Sequence, residues 1–150
     1  MRTIKFRGKI MNSNNWIYGS YHEHIDITPA AIYKTIEERD KHITEHTHHY
    51  IIQDGFSDYN MPRKIEFTEI NPSTLCQFTS LFDKDNKEIY EGDILNINGS
   101  IFEVRFSCGV FGFIPHGSID DEMSNCLRKG FASVIGNIYD NPELLEGGEK

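Results

Sequence analysis

The sequence predicts a mainly β fold, a β-rich α+β arrangement with one short helix. Short runs of alternating apolar and polar residues recur at intervals of roughly 8–12 residues, which is typical of a small barrel or a curled sheet. Gly and Asn turn signals separate these runs. A chain of 150 residues with 38% hydrophobic and 12% aromatic side chains can bury the core of a single domain.

The first predicted element is a β-hairpin between residues 3 and 21. Residues 4–10 alternate apolar and basic side chains, so the apolar ones should turn inward and the basic ones outward. A polar turn at residues 12–15 leads to a second strand, which starts at Trp16 and is rich in residues suited to a pleated surface.

One short helix is predicted from Thr28 to about Asp40. Thr28 is a suitable N-cap, and Pro29 would occupy the first helical position, where its missing N–H is harmless. Ile32 and Ile36 are spaced i, i+4, so they would share one face of this helix.

Further short apolar runs follow a polar stretch at residues 41–49, and their patterns predict strands. Most are bounded by Gly, Pro, Asn or Asp. Asn98-Gly99 is the strongest hairpin signal among the turns, and Asn86 is the turn residue best suited to a positive φ. The runs cover residues 50–52, 64–70, 75–82, 94–97, 101–106, 110–114 and 131–139.

The C-terminal half is predicted to form a small SH3-like or partly open barrel, because its strands are short and closely spaced. Residues 118–129 are predicted to be a loop or one helical turn, and residues 143–150 an acidic tail that frays. We treat residues 1–150 as one domain. The alternative is a subdivision into an N-terminal hairpin and insert region, 1–70, and a barrel-like part, 71–145.

The net charge of −8 argues against general binding to phosphate backbones or anionic lipid. The charge is uneven, since residues 1–19 hold four basic residues and no acidic one. This basic strand, with Lys5, Arg7 and Lys9, could face a polyanion or pair with the chain's own acidic surface. No apolar run approaches the roughly 18 residues of a membrane span, so we expect no membrane partner and a cytoplasmic location.

The histidines are the first candidates for metal ligands. His42 and His46 are spaced i, i+4, which would place both imidazoles on one helical face, and His48 and His49 follow closely. The metalloprotease order His-Glu-x-x-His is absent, and no Cys lies nearby. Surface or pH-responsive histidines are therefore the favoured interpretation, with a metal site as the alternative. We expect no cofactor.

The sequence contains no recognisable catalytic constellation. It has no nucleophile elbow, no phosphate loop and no dinucleotide fingerprint, and its three cysteines are widely spaced. We therefore expect that the protein is not an enzyme. Phe111 and Phe113 could stack on the bases of single-stranded nucleic acid, although core packing uses the same residue types.

Residues 90–93, Tyr-Glu-Gly-Asp, are interpreted as a structural motif. Gly92 suits a turn or bulge, and Asp93 can accept backbone N–H bonds that fix the start of the next strand. Similar Gly-Asp turns open strands in SH3-like barrels. The motif is therefore better explained by folding than by binding.

Three stretches, residues 4–19, 77–94 and 135–144, keep one order and spacing over nearly the whole chain. Together they resemble the YopX family of phage and prophage proteins. The resemblance implies a β-rich fold with a small barrel-like part, phage or prophage origin and no established activity or catalytic residue. Its motif positions are Gly8, Trp16, Gly19, Tyr90, Glu91, Gly92, Asp93, Gly136, Asn137, Tyr139 and Pro142.

This chain departs from the family pattern at three positions. The family usually has Gly where this chain has Cys76, Ser80 and Asn86. The changes at Cys76 and Ser80 imply that close backbone approach is not essential there.

We predict a phage or prophage accessory protein, a non-catalytic β-rich module that binds a phage or host protein and forms homo-oligomers. The first alternative is a nucleic-acid-associated factor that uses the basic N-terminal strand and exposed aromatic side chains. The second is a metal-dependent enzyme built on the cluster from His42 to His49.

Overall fold

The computed structural model of the chain describes residues 3–26, 33–55, 64–107, 109–115, 124–126 and 132–146. They form a mainly β fold with antiparallel sheets, as predicted. The helices are α1 (Ile36–Glu45) and α2 (Glu143–Glu146), and Pro72–Thr74 forms a 3-10 turn. The strands are β1 (Phe6–Lys9), β2 (Trp16–Ile25), β3 (Thr47–Gly55), β4 (Lys64–Glu69), β5 (Cys76–Phe82), β6 (Glu88–Tyr90), β7 (Asp93–Ile97), β8 (Ser100–Ser107), β9 (Val110–Pro115), β10 (Ser124–Cys126) and β11 (Ser133–Asn137).

The chain divides into two compact units. We call Lys5–Leu75 the N-terminal unit, and Met1–Ile4 together with Cys76–Lys150 the C-terminal unit. None of the helices in the described ranges is long and apolar enough to cross a membrane.

The N-terminal unit is an antiparallel sheet in the order β4-β3-β2-β1. The predicted hairpin is confirmed, because β1 pairs with β2 and places Lys9 opposite Trp16. The sheet curls until the chain after β1 meets the end of β4. There Met11 N–H donates to the Glu69 carbonyl at 3.0 Å. The core on the inner face consists of Ile17, Ile51 and Ile70, with Phe6, Ile10, Tyr21 and Leu75 packed against them.

The helix starts later than predicted. Thr35 is its N-cap, and the Thr35 hydroxyl accepts the Glu38 N–H at 3.1 Å. Glu38 in turn accepts the N–H of Lys34, one residue before the N-cap, at 2.9 Å, so the pair forms a variant of the capping box. The predicted start at residues 28–29 lies outside the described residues. The helix also extends to Glu45, into the stretch that was predicted to be merely polar.

The C-terminal unit contains an open five-stranded sheet in the order β10-β9-β8-β7-β11 and the antiparallel pair β5–β6. Because β10 and β11 end this order, the described strands do not close into a barrel. The core is formed by Ile89, Leu95, Val104 and Ala132, with Leu81, Ile97, Phe102, Phe113 and Val134 packed against it.

Two segments of the C-terminal unit differ from their predicted structure. β10 lies within the predicted loop at 118–129, where it pairs with β9 through a register shift. α2 forms where a fraying tail was predicted, because Leu144 N–H donates to Asn141 and Leu145 N–H to Pro142. These local bonds make one helical turn from a sequence with little helical pattern.

Positive φ values mark the tight turns of the C-terminal unit. Asn86 has φ 62°, as its turn position predicted, and Asn98 and Gly99 form the predicted hairpin turn with φ 53° and 90°. Ser80 has φ 69° within the register shift between β5 and β6. The glycine expected at this position in the family therefore suits a left-handed backbone conformation.

Candidate binding surface

The N-terminal sheet has a second face, opposite its core, that gathers aromatic and cationic side chains. Directly paired residues share a face, and neighbours along a strand alternate. Since Ile17 and Ile51 belong to the core, their strand neighbours lie on the opposite side. We call this side the outer face. It includes Lys5, Arg7, Lys9, Trp16, Tyr18, His22, His24, His48, Tyr50, Ile52, Ile65, Phe67 and Glu69.

The three predicted basic residues of the first strand lie over aromatic rings on the outer face. The Arg7 guanidinium carbon is 4.7 Å from the Trp16 ring centroid, and Lys9 Nζ is 5.6 Å from the same ring. Lys5 Nζ is 5.6 Å from the Tyr18 ring centroid. These are cation–π distances. Arg7 is only 6% exposed, although the alternating pattern predicted that it faces solvent.

His48 lies on the outer face between two carboxylates. Its Nδ1 is 2.7 Å from Glu69 Oε1 on β4, and its Nε2 is 3.6 Å from Asp26 Oδ2. His24 Nε2 contacts the same Asp26 carboxylate at 3.0 Å. The hydrogen bond to Glu69 raises the pKa of His48 above its usual value. Partial burial opposes this rise, and the negative charges of Glu69 and Asp26 add to it.

Of the other three histidines of the predicted cluster, His42 and His46 contact each other and His49 has a separate environment. His42 and His46 stack with ring centroids 3.9 Å apart, and the Tyr33 hydroxyl lies 3.0 Å from His42 Nδ1. His49 follows His48 in β3 and therefore turns to the opposite face, where its Nδ1 is 2.7 Å from the Tyr21 hydroxyl. In the described part of the chain, no three His, Cys, Asp or Glu side chains are grouped so that they could hold a metal ion.

Two large apolar side chains on β4 are exposed at the edge of the outer face. Ile65 is 57% and Phe67 59% exposed, and β4 is the terminal strand of this sheet among the described strands. Tyr50 lies beside Phe67, with ring centroids 6.4 Å apart and planes at 84°. The sequence does not reveal this exposed pair, because alternation in residues 64–70 predicts a half-buried strand but not the position of that strand in the sheet.

The Tyr-Glu-Gly-Asp motif lies in the turn between β6 and β7. Asp93 is buried, and its carboxylate accepts the Tyr90 N–H at 2.8 Å. Gly92 has φ 74° and donates its N–H to the Val104 carbonyl at 2.9 Å. Burial raises the pKa of Glu91, backbone N–H groups of Phe106 and Gln77 oppose the rise, and the Glu103 charge adds to it.

The closing motif forms a second turn of the same kind. The Asn137 side-chain oxygen accepts N–H bonds from Tyr139 at 3.0 Å and from Asp140 at 2.9 Å. A Cβ on Gly136 would lie 2.6 Å from the Asn141 side-chain oxygen. Pro142 begins the single turn of α2 by accepting the Leu145 N–H. These motif residues therefore have structural contacts.

Neighbouring residues lie so close to two glycines of the N-terminal unit that a larger residue would not fit at either position. A Cβ on Gly19 would lie 2.2 Å from the Ile52 carbonyl oxygen, and one on Gly8 would lie 2.6 Å from Ile70 Cδ1. Both positions leave no room for a side chain without displacement of a neighbour.

Phe111 and Phe113 have different neighbours on β9. Phe113 packs against the core and contacts Phe102 edge to face, with centroids 4.9 Å apart. Phe111 lies 4.8 Å from Phe106, which is 47% exposed. Phe113 is thus occupied by core packing, whereas Phe111 belongs to a half-exposed aromatic pair.

Comparison with known proteins identifies a related fold and a family. The crystal structure of protein EF1440 from Enterococcus faecalis is similar, with a TM-score of 0.54 and 23% sequence identity, over 97% of this chain and 99% of that chain. No curated protein matches the chain. The sequence profile described as YopX protein matches residues 5–146. This match spans both units and nearly the whole sequence, so the chain belongs to the YopX family.

Proposed function

We propose that this chain is a non-catalytic binding module of phage or prophage origin that binds a protein partner in the host cytoplasm. The observation that carries the proposal is the pair Ile65 and Phe67, more than half exposed on a terminal strand. Apolar side chains beside unpaired strand backbone favour the addition of a strand from another chain.

The chemistry of the buried acids supports a non-catalytic role. The Asp83 carboxylate accepts three backbone N–H groups, and the Asp93 carboxylate accepts one from Tyr90. Burial acts to raise the pKa of Asp83, but the N–H bonds from Lys87, Val134 and Asp85 outweigh it and lower the pKa. A carboxylate held in this way is a structural acceptor and a poor proton donor at neutral pH.

A protein partner can be identified by comparing the unaltered chain with a variant that lacks the exposed side chains of Ile65 and Phe67. The Ile65→Thr/Phe67→Thr double variant keeps β-forming residues and removes the apolar surface. Phe106→Thr is the matched control, since Phe106 is also about half exposed but lies on β8. Tagged chains are used to capture proteins from infected or induced cells, and the affinity of each captured protein is then measured with purified components.

We expect a protein that binds the unaltered chain and the Phe106→Thr control equally and the double variant at least about tenfold more weakly. Equal binding by all three chains would show that the partner does not bind at the β4 edge. The absence of any protein that binds with measurable affinity would contradict the protein-binding function itself.

A second candidate, binding of single-stranded nucleic acid, is favoured by one observation. Lys5 and Lys9 lie on the same face as Trp16 and Tyr18, and this combination of cations and rings suits a stacked, charged strand. The net charge of −8 opposes it. Titration of oligonucleotides at two salt concentrations tests it, because phosphate contacts give a steep loss of affinity with salt. Binding that is unchanged in a Lys5→Gln/Lys9→Gln variant would contradict it.

A further inference from the structure

We propose that β4 pairs antiparallel with β4 of a second copy of this chain, with Ile65 of each copy opposite Phe67 of the other. The inference rests on the proposed function, because it names the protein that is bound at the β4 edge. Its basis is the direction of the backbone hydrogen bonds on β4.

The bonding pattern shows which backbone groups of β4 turn away from β3. Ile70 N–H donates to the His49 carbonyl at 2.9 Å, and the register continues with Glu69 opposite Tyr50. In an antiparallel ladder, residues alternate between those that bond to the neighbouring strand and those that turn away from it. Residues 64, 66, 68 and 70 therefore face β3, and residues 65, 67 and 69 face the outer edge.

One of these three outward residues is already bonded. The Glu69 carbonyl accepts the Met11 N–H at 3.0 Å, where the curled sheet meets itself. Ile65 and Phe67 are left as the β4 residues whose backbone groups turn to the outer edge, where none of the described strands pairs with them. They are also the two residues with exposed apolar side chains.

Two antiparallel copies of β4 can be aligned about a two-fold axis in several registers. Only one of them lets Ile65 and Phe67 of each copy form backbone hydrogen bonds with the same two residues of the other copy. Pairing Ile65 with Phe67 of the second copy, and the reverse, forms four backbone hydrogen bonds about an axis at Glu66. Centring the axis on Phe67 instead would place Ile65 opposite Glu69, whose carbonyl is occupied. Centring it on Ile65 would place Phe67 opposite residue 63 of the second copy, which lies beyond the described strand.

The side chains on the outer face suit this register, and on the opposite face Lys64 offsets the repulsion between the two Glu66 carboxylates. On the outer face, each Phe67 meets the other copy's Ile65, and such apolar cross-strand pairs stabilise sheets. On the opposite face, Glu66 is paired with Lys64 of its own strand. The same Lys64 lies diagonal to Glu66 of the second copy, within reach of a long side chain. The charges alternate in sign around the two-fold axis, which reduces repulsion between the two Glu66 carboxylates.

Cysteine cross-linking tests the register directly. Residue 66 would face its own counterpart in a non-hydrogen-bonded pair with Cα atoms about 4.5 Å apart, which lies within the disulfide range of roughly 4.4–6.8 Å. Glu66→Cys should therefore form a covalent dimer under mild oxidation, at least about tenfold faster than the unaltered chain with its own cysteines. Circular dichroism of the reduced variant verifies that it is folded.

A mixed pair gives the matched control. Residue 64 would face residue 68 of the second copy, so Lys64→Cys and Thr68→Cys chains should cross-link when mixed and should not when each is alone. Sedimentation of the unaltered chain should show a concentration-dependent dimer that Phe67→Thr weakens at least about fivefold. A monomer at all concentrations, or a dimer in which Glu66→Cys does not cross-link, would overturn the pairing. Loss of the captured partner in the Ile65→Thr/Phe67→Thr variant would still support the proposed function in either case.

Discussion

The N-terminal and C-terminal units hold their strands in place by different means. In the N-terminal unit, side chains pair across strands, as His48 does with Glu69, and Gly19 lets strand backbones approach closely. In the C-terminal unit, the buried acceptors Asp83 and Asp93 bond to backbone N–H groups in turns.

The turn bonds of the C-terminal unit are mainly local in sequence, whereas the cross-strand contacts of the N-terminal unit join residues far apart in sequence. The Asp93 bond joins residues three positions apart, so a short motif in the sequence is enough to specify it. The Gly19 contact with Ile52 depends on the pairing of two strands far apart in the chain. Outside the hydrophobic cores, the C-terminal unit should therefore be most sensitive at the buried acceptors of its turns, and the N-terminal unit wherever two strands approach closely.

Gly19→Ala should have the largest effect. Its Cβ would lie 2.2 Å from the Ile52 carbonyl oxygen and 2.9 Å from Ile51 Cγ2, so the two strands must separate. We expect a loss of about 3 kcal/mol in the free energy of unfolding. Urea unfolding followed by the fluorescence of Trp16, the one tryptophan in the chain, reports on this unit.

Gly55→Ala is the control, because a Cβ there would meet nothing within 4 Å. It should change the free energy of unfolding by no more than about 0.5 kcal/mol. Similar losses for the Gly55 and Gly19 variants would show that close strand approach does not distinguish the N-terminal unit.

Asp83→Ala should have the next largest effect, in the C-terminal unit. It removes the acceptor of the Lys87, Asp85 and Val134 N–H groups, of which the last connects the β5–β6 turn to β11. We expect a loss of about 2–3 kcal/mol, because three backbone N–H groups, including the part-buried one of Val134, lose a charged acceptor. Chemical denaturation followed by circular dichroism measures the loss. Asp85→Ala, at an exposed position in the same turn, should cost less than about 0.5 kcal/mol; equal losses would contradict the role of the buried acceptor.

Ser80→Gly should stabilise the C-terminal unit. Ser80 has φ 69°, a conformation that costs L residues roughly 1 kcal/mol and glycine little. The substitution also removes the hydrogen bond of 3.3 Å that the Ser80 hydroxyl donates to the Thr3 carbonyl. The net gain in the free energy of unfolding should therefore be about 0.5 kcal/mol. The thermal midpoint should rise. Ser100→Gly, on a strand without positive φ, should lower it, and a fall in both variants would show that the backbone at residue 80 is not strained.

The smallest effect concerns the pH dependence of the N-terminal unit. Because folding raises the pKa of His48, its contribution to stability is present below about 6.5 and is lost as pH rises through the folded value. The urea midpoint of the unaltered chain should therefore exceed that of His48→Gln by more at pH 6 than at pH 8. Glu69→Gln removes the main cause of the raised His48 pKa. The urea midpoint of this variant should therefore depend on pH as weakly as that of His48→Gln. A difference that is the same at both pH values would show that the ion pair does not contribute.

The sequence was sufficient for the features with local causes. Alternating runs located the β1–β2 hairpin, and Asn98-Gly99 located the turn of the β7–β8 hairpin. The positive φ at Asn86 was also predicted from its turn position. The helix start was misplaced, because Thr28-Pro29 and the Thr35–Glu38 capping box are both acceptable starting points, and the side-chain bonds favour the second.

The candidate surface depended on long-range pairing that no short pattern contains. His42 and His46 stay together as a stacked pair, but His48 and His49 are separated from each other, because they follow in β3, where successive side chains turn to opposite faces. The exposure of Ile65 and Phe67 follows from the position of β4 at the end of its sheet. Alternation within a strand cannot show whether another strand lies beside it.

The closure of the N-terminal unit affects how fast this unit can fold. Lys9 N–H donates to Thr74 Oγ1 at 2.8 Å, a bond between residues 65 positions apart. Contacts of such long sequence separation slow folding, since a long loop must close before they form. During synthesis, we therefore expect the core around Ile17 to stay incomplete until Ile70 and Thr74 have emerged from the ribosome. The nascent chain is then the state most open to chaperones and to mispairing.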